Sequence, residues 1–226
     1  MHEEGKHKSN SIIALSKSDK KIIADFHSSL SDNEYNLKCT WAIRIIESKL
    51  SMIGLELKAE KKRDVIVRTT DRIKSAESIF LKLRRKGYTI NLDNAKKKLN
   101  DIIGVRATCM FQDDIYDVID CLKIQEDLRI VKIKDYIKTP RQSGYQSIHI
   151  IIEVPVYLKK KPEWMKVELQ LRTVAMDSWS ELDYQLLYKK EYEKADEISK
   201  ELKRYADIIA DMDISMMRLR DMINEI

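Results

Sequence analysis

Between residues 33 and 62 the apolar side chains Leu37, Trp41, Ile45, Ile53 and Leu57 fall mostly three to four apart or at multiples of that, the period of an α-helix, and predict one long helix. Asp71 is placed to cap a second helix over 71–86, with Gly87 where a helix C-terminus takes left-handed geometry. A short helix is expected over 92–99. The runs 104–111, 128–133, 147–158 and 166–172 are of strand length and either β-branched or alternating, so they predict strands, with a helix over 113–126 between the first two. Helices are expected again over 174–190 and from 195 to the end. Strands interleaved with helices predict an α/β (α+β) domain built on a mixed sheet of about five strands with flanking helices.

One further pattern concerns the last helix. Ile198, Leu202, Tyr205, Ile209, Met212, Met216, Leu219 and Ile223 alternate steps of four and three, a continuous heptad seam. Such a seam packs either on another copy of the chain or on the chain's own N-terminal helix. Residues 1–31, rich in Lys, Ser and Asp, are expected to form a flexible or loosely docked tail. The expected organisation is therefore a tail over 1–31, a catalytic domain over 32–192 and a C-terminal helix over 193–226.

Composition narrows the classes. The chain has 226 residues, of which 35% are charged, with only 5 Gly and 3 Pro, which favours long helices over a glycine-rich sandwich. A net charge of +5 suits an anionic ligand without specifying one. Cys39, Cys109 and Cys121 form no CxxC pair and have no His at zinc-ligand distance, which reads as a reducing cytosol. No apolar run reaches membrane-spanning length and no signal-peptide core follows the N-terminus, so a cytoplasmic protein with no membrane segment is expected.

Four stretches carry candidate chemistry. In the predicted second helix Lys74, Ser78 and Lys82 lie four apart with Lys86 a turn further on, a row able to grip polyphosphate oxygens or merely a solvated basic face. Asp101 precedes the apolar run Ile102-Ile103-Gly104-Val105-Arg106, a common way to hold magnesium at a strand end, although a turn-capping Asp reads the same. The sixteen residues from Lys134 to His149 compress basic side chains, a Gly turn, an aromatic and a histidine, in which Gly144-Tyr145 offers a ring for stacking on a nucleobase. Tyr145 could instead be a packing tyrosine, and His149 a core histidine. In the alternating strand Val167-Glu168-Leu169-Gln170-Leu171-Arg172-Thr173, Glu168, Gln170 and Arg172 share one face. A carboxylate there and Asp101 would meet across the sheet to bracket a magnesium ion.

The texts RIKSAESIFLKLRRKG, DIIGVRATCMFQDDIYDV, KDYIKTPRQSGYQSIH and VELQLRTVAMDSWSELDYQLLYK, in this order, resemble the synthetase domain of the RelA/SpoT family, and the chain length resembles its single-domain branch, the small alarmone synthetases. The resemblance covers roughly residues 71–190. It implies a nucleotidyltransferase-like synthetase fold and an ATP:guanosine nucleotide 3′-diphosphotransferase of the stringent response, which moves the β,γ-pyrophosphate of ATP onto the 3′-hydroxyl of GDP, GTP or GMP. It further implies that Arg72 and Arg106 sandwich the adenine and that Lys74, Ser78, Lys82 and Lys86 line the ATP phosphates. By the same resemblance Asp101 and Glu168 hold Mg2+, Glu168 lies near the attacking hydroxyl and Tyr145 stacks on guanine. Lys134, Arg141, His149, Gln170 and Arg172 match positions that contact phosphates or order the site, with Arg141 where a lysine is more usual. The family's Leu-Glu-His is Leu182-Asp183-Tyr184 here, which puts that helix's support of the site in doubt. A homo-oligomer, most readily a tetramer with the C-terminal helix at its interface, is also implied, and an alarmone or an RNA stays open as a regulatory ligand.

The hydrolase domain of bifunctional relatives is not expected, because the residues before Arg72 contain no His-Asp pair and too little chain to fold it. Two rival readings are weaker. Another nucleotidyltransferase would show a Gly-Ser turn followed by paired Asp, and the chain has no Gly-Ser dipeptide; it also lacks the phosphate-binding glycine motifs of P-loop and Rossmann proteins. A degenerate synthetase acting as a nucleotide- or RNA-binding regulator is countered by retention of every candidate catalytic residue.

Overall fold

A computed structural model describes residues 16–30, 33–158, 161–187 and 195–225. The elements are α1 (Lys17–Leu30), α2 (Asn33–Lys61), β1 (Ile66–Ile73), α3 (Ala76–Arg85), α4 (Leu92–Lys98), β2 (Ile103–Cys109), α5 (Gln112–Lys123), β3 (Arg129–Asp135), β4 (Ile148–Val156), β5 (Glu163–Thr173), α6 (Val174–Leu187) and α7 (Ala195–Asn224). The strands form one sheet in the order β1-β2-β5-β4-β3. Only β2 and β5 run parallel; the other pairs are antiparallel, so the expected mixed sheet with flanking helices is what forms.

Alternation divides the sheet into two unlike faces. Ile103, Val105 and Ala107 of β2, Val167, Leu169 and Leu171 of β5, and Ile148, Ile150 and Ile152 of β4 point one way and are buried. Onto them pack Ala42, Ile43, Ile46, Leu50, Ile53 and Leu57 of α2 and Ile115, Val118, Ile119 and Leu122 of α5. The opposite face carries the other parity. Arg72 pairs with Gly104, Gly104 with Glu168, Thr70 with Arg106, Arg106 with Gln170, Gln170 with His149 and His149 with Lys134. The register thus draws residues from five strands onto one polar surface.

Three expectations change. Asp71 caps no helix: residues 66–73 form an edge strand, and the cap is Ser75, whose Oγ accepts from the Ser78 N–H at 3.2 Å. The β-branched run Ile66-Val67 and Thr69-Thr70 extends the chain until Ser75, a strong N-cap type, starts α3. Gly87 does stand just past the helix in left-handed conformation, φ 68°. In α2 the period is right but the phase drifts, since Leu37 and Trp41 are exposed while Cys39, Ala42 and Ile46 face the core. Within the expected tail, residues 17–30 form α1, whose Phe26 is buried against Ile79, Phe80 and Leu83 of α3. Residues 1–15, like 188–194 between the last two helices, lie outside the described residues.

The C-terminal seam also divides. Leu202 is buried and Ile198 and Ile209 partly so against Trp179 of α6, whereas Tyr205, Met212, Met216, Leu219 and Ile223 are exposed. Among the described residues, α7 rests chiefly on α6 and the start of α5. Among the described residues no helix is long and apolar enough to cross a membrane.

Candidate active site on the polar sheet face

At one end of the polar face, β2 begins just after Asp101. Lys74, in the link between β1 and α3, and Lys82, on α3, both donate to Asp101 Oδ2, at 2.6 and 2.5 Å. Because residues 66–73 form a strand, Lys74 does not share the helix row of Ser78 and Lys82, yet the turn at Ser75 brings its ammonium to the same carboxylate. Burial opposes the charge on Asp101, but the two lysines outweigh it and hold its pKa below the ordinary Asp value. Burial lowers the Lys82 pKa, and Asp101 offsets this only in part. Asp101 Oδ1 is buried with no protein partner, an open acceptor beside two cations. Ser78 lies at the cap, its hydroxyl 2.9 Å from that of Ser75, and Lys86 ends α3 in solvent.

Glu168, in the middle of β5, accepts from Gln170 Nε2 at 2.9 Å and lies 3.3 Å from His149 Nδ1. Burial again opposes its charge, and the bonds from His149 and Gln170 win, so its pKa falls below the ordinary Glu value. The chain continues outward: His149 Nε2 and the Tyr145 hydroxyl are 2.7 Å apart, and Arg172 donates to that hydroxyl at 2.9 Å and to Gln170 Oε1 at 3.3 Å. Arg141 and Arg172 stand 4.9 and 5.2 Å from the Tyr145 ring centroid, and Arg141 also covers Tyr136 at 4.4 Å. Tyr145 is therefore an aromatic already paired with cations. Lys134 is exposed opposite His149.

Arg72 lies across Gly104, its Cγ and Nε each 3.4 Å from where a side chain at Gly104 would begin. A Cβ there would touch the Arg72 side chain, so glycine lets that side chain lie close over the strand. The arrangement brings Lys74, Lys82 and Asp101 to one end, within electrostatic reach of Glu168, and Gln170, Arg172, His149, Tyr145 and Arg141 to the other, with Arg72 and Arg106 along the β1–β2 side. Ser78 and Lys86 stay on the rim.

Asp177 was not singled out from the sequence. It is buried in the first turn of α6 and accepts from Arg106 at 2.9 Å, Arg172 at 3.0 Å and Arg68 at 2.5 Å. Burial opposes its charge, and the arginines reverse the effect and lower its pKa. Arg68, Thr70, Arg106, Asp177, Ser178, Glu181 and Leu182 line a cleft of about 530 Å3, within the size range of small-ligand sites. Leu182 of the divergent Leu182-Asp183-Tyr184 is thus part of the cleft wall. Besides Asp101 Oδ1, the Nε atoms of Arg106 and Arg172 are buried without partners. Three of the unpaired buried polar atoms among the described residues therefore belong to this one surface, the condition expected where a ligand completes the hydrogen bonding.

Residues 71–193 match the family model described as "Region found in RelA / SpoT proteins". The chain is 42% identical over 180 residues to the GTP pyrophosphokinase YwaC of Bacillus subtilis, covering 80% of this chain and 86% of the relative. Its fold matches the crystal structure of small alarmone synthetase 2 from Bacillus subtilis with a TM-score of 0.73 at 40% identity, over 82% of this chain and 96% of that one. It also matches small alarmone synthetase 1 from the same organism, bound to its product pppGpp, with a TM-score of 0.77 at 28% identity, over 86% and 98% of the two chains. With the matched region covering the polar face from residue 71 onward, the chain belongs to the RelA/SpoT family, in its single-domain branch of GTP pyrophosphokinases, the small alarmone synthetases.

Proposed function

We propose that the polar face transfers the β,γ-pyrophosphate of ATP to the 3′-hydroxyl of GDP, GTP or GMP and so makes ppGpp, pppGpp or pGpp respectively. The 3′-oxygen attacks the β-phosphorus, the bond between that phosphorus and the α–β bridging oxygen breaks, and AMP leaves with the bridging electrons. The observation that carries the reading is the unpaired set of Asp101 Oδ1, Arg106 Nε and Arg172 Nε: one acceptor for a cation and two donors for acceptor atoms of a nucleotide, on one surface.

Roles follow from position. Arg72 and Arg106, on adjacent strands with their charge spread over flat guanidinium groups, bracket the adenine. Lys74 and Lys82 neutralise phosphate oxygens and orient Asp101, with Ser78 and Lys86 at the outer end of the polyphosphate. Glu168, held by His149 and Gln170, faces the 3′-hydroxyl and takes its proton, and His149 steadies the resulting charge distribution. Tyr145 stacks on guanine, while Lys134, Arg141 and Arg172 meet acceptor phosphates. The chemistry needs alignment and charge neutralisation more than covalent intermediates.

The two carboxylates fit a magnesium ion. Among the described residues no cluster of three or more His, Cys, Asp or Glu could hold a metal by itself, so Asp101 Oδ1 and Glu168 would supply only part of a shell that substrate phosphates and water complete, as is usual for magnesium. When bound, the ion would neutralise charge on the transferring group.

Assembly is proposed from the outer side of α7. Tyr205, Ile208, Met212, Met216, Leu219 and Ile223 form an exposed apolar stripe along one helix, which suits burial against further copies of this chain in a tetramer. Incubating the enzyme with ATP and, separately, GDP, GTP, GMP and 3′-deoxy-GDP tests the catalytic reading: AMP release with the first three and none with the 3′-deoxy acceptor is expected. AMP release unaffected by loss of the 3′-hydroxyl would contradict it.

A further inference from the structure

The acceptor loop does not stand by itself. Its turn is closed by the Gly144 N–H donating to the Arg141 carbonyl at 2.8 Å and the Arg141 N–H donating to the Tyr145 carbonyl at 3.1 Å. Gly144 has φ 89°, in the left-handed region, and is buried. A side-chain carbon built at Gly144 would fall 2.4 Å from Ala206 Cβ and 3.0 Å from Lys203 Cδ. Glycine is therefore needed twice over, once for the turn and once because α7 lies directly on it.

The register of α7 against the site is fixed at several points on the same side of the helix. Trp179 Nε1 of α6 donates to the Leu202 carbonyl at 3.0 Å. The Thr173 hydroxyl, at the end of β5, donates to Asp213 at 2.5 Å and accepts from the Met176 N–H at 3.1 Å. Arg220 donates to Asp113 at 2.9 Å and stands 4.7 Å from the centroid of Phe111. Ala206, Asp213 and Arg220 are seven residues apart, so these contacts form one row. Such a row leaves α7 little freedom to slide, and it sets Ala206 against Gly144 and the Trp179–Leu202–Ala206 cluster against Tyr145.

We infer that α7 is a positioning element for the acceptor, and that Ala206, which touches no reacting group, sets the height of the Gly144-Tyr145 turn over the sheet and thereby the acceptor's affinity. In that reading the polyphosphate sits at Lys74, Lys82 and Asp101, away from the Gly144–Ala206 contact, while Arg106, at the adenine, is joined to the Tyr145 loop at one remove, through Asp177 and Arg172. The inference rests on the assignment of Tyr145 to guanine.

The test compares Ala206→Leu, Ala206→Gly and Tyr145→Ala in full-length enzyme, with acceptor KM and kcat from steady-state kinetics and affinity for a non-hydrolysable ATP analogue from calorimetry. A displacement of about 1 Å can cost up to about 100-fold in rate, so Ala206→Leu is expected to raise acceptor KM by about tenfold or more, with analogue affinity within about twofold. Ala206→Gly, which removes support without adding bulk, is expected to raise acceptor KM by about threefold with the same split, and it alone decides the matter should Ala206→Leu fail to fold. Unchanged acceptor KM, or equal losses for acceptor and ATP analogue, in the deciding variant would overturn the inference. If Tyr145→Ala spares the acceptor, the guanine assignment fails by itself; if Tyr145→Ala weakens the acceptor and neither Ala206 variant does, only the role of α7 falls.

Discussion

The two ends of the polar face are built by different physics. At the Asp101 end, two ammonium groups converge on one buried carboxylate oxygen at 2.5 and 2.6 Å, from a link and a helix tied to the sheet edge. At the Tyr145 end, a loop holds an aromatic ring against arginines by stacking and is seated on α7 by the contact of Gly144 with Ala206. Charge-assisted bonds that converge on one buried carboxylate define position sharply and fail all at once when a charge is removed. Stacked rings and van der Waals seats give way gradually. The first end suits the groups whose alignment decides whether transfer occurs; the second suits a base whose binding can be tuned.

This contrast is broken most severely at the carboxylates. Asp101→Asn and Glu168→Gln are each expected to lower kcat by about 1000-fold or more with far-UV circular dichroism unchanged, because each removes a charged group facing the transferring phosphate. Rates near wild type in either variant would show that the charged end does not govern the chemistry. Tyr145→Ala should act differently, raising acceptor KM by about tenfold, the equivalent of losing one base-stacking contact, while ATP-analogue affinity stays put. Equal losses for both substrates would erase the distinction between the ends.

The pH dependence sharpens the same comparison. Asp101 has a folded pKa below its ordinary value of 3.8, so its ion pairs contribute stability that is present above that value and lost as pH falls through the lower folded value. The difference in urea midpoint between wild type and Asp101→Asn should therefore stay flat at neutral pH and narrow only below about pH 4. Narrowing that begins near neutrality would mean that the lysines do not hold this carboxylate ionised. The smallest effect on chemistry is expected at the outer stripe of α7. Met212→Glu with Met216→Glu should yield smaller particles by light scattering with acceptor KM nearly unchanged, whereas Ile209→Glu, which strikes the partly buried contact with Trp179, should destabilise the protomer itself. Wild-type protein that is monomeric at micromolar concentration would remove the assembly proposal.

What was readable in the sequence follows the reach of each interaction. Alternation in Val167–Thr173 put Glu168, Gln170 and Arg172 on one face, and the structure agrees because a period of two needs no knowledge of neighbours. The edge strand β1 was not readable: Arg68, Thr70 and Arg72 lie on the polar face and its other side is only partly covered, so little apolar alternation survives. Asp177 escaped for another reason. An acidic residue in a first helical turn is ordinarily explained by the helix dipole, and its three arginines come from positions 68, 106 and 172, which only the sheet register brings together. In α7 the spacing was visible, but the apolar residues serve two faces, and which of them meets α6 depends on Trp179 and Thr173.

The most direct test of the account follows the label in ATP. With [β-32P]ATP and GDP, wild-type enzyme should release unlabelled AMP and place the label on the guanosine 3′-oxygen in equal amounts, and Glu168→Gln should do neither within the same time. Labelled ADP or free pyrophosphate as the main product, or undiminished transfer by Glu168→Gln, would contradict it.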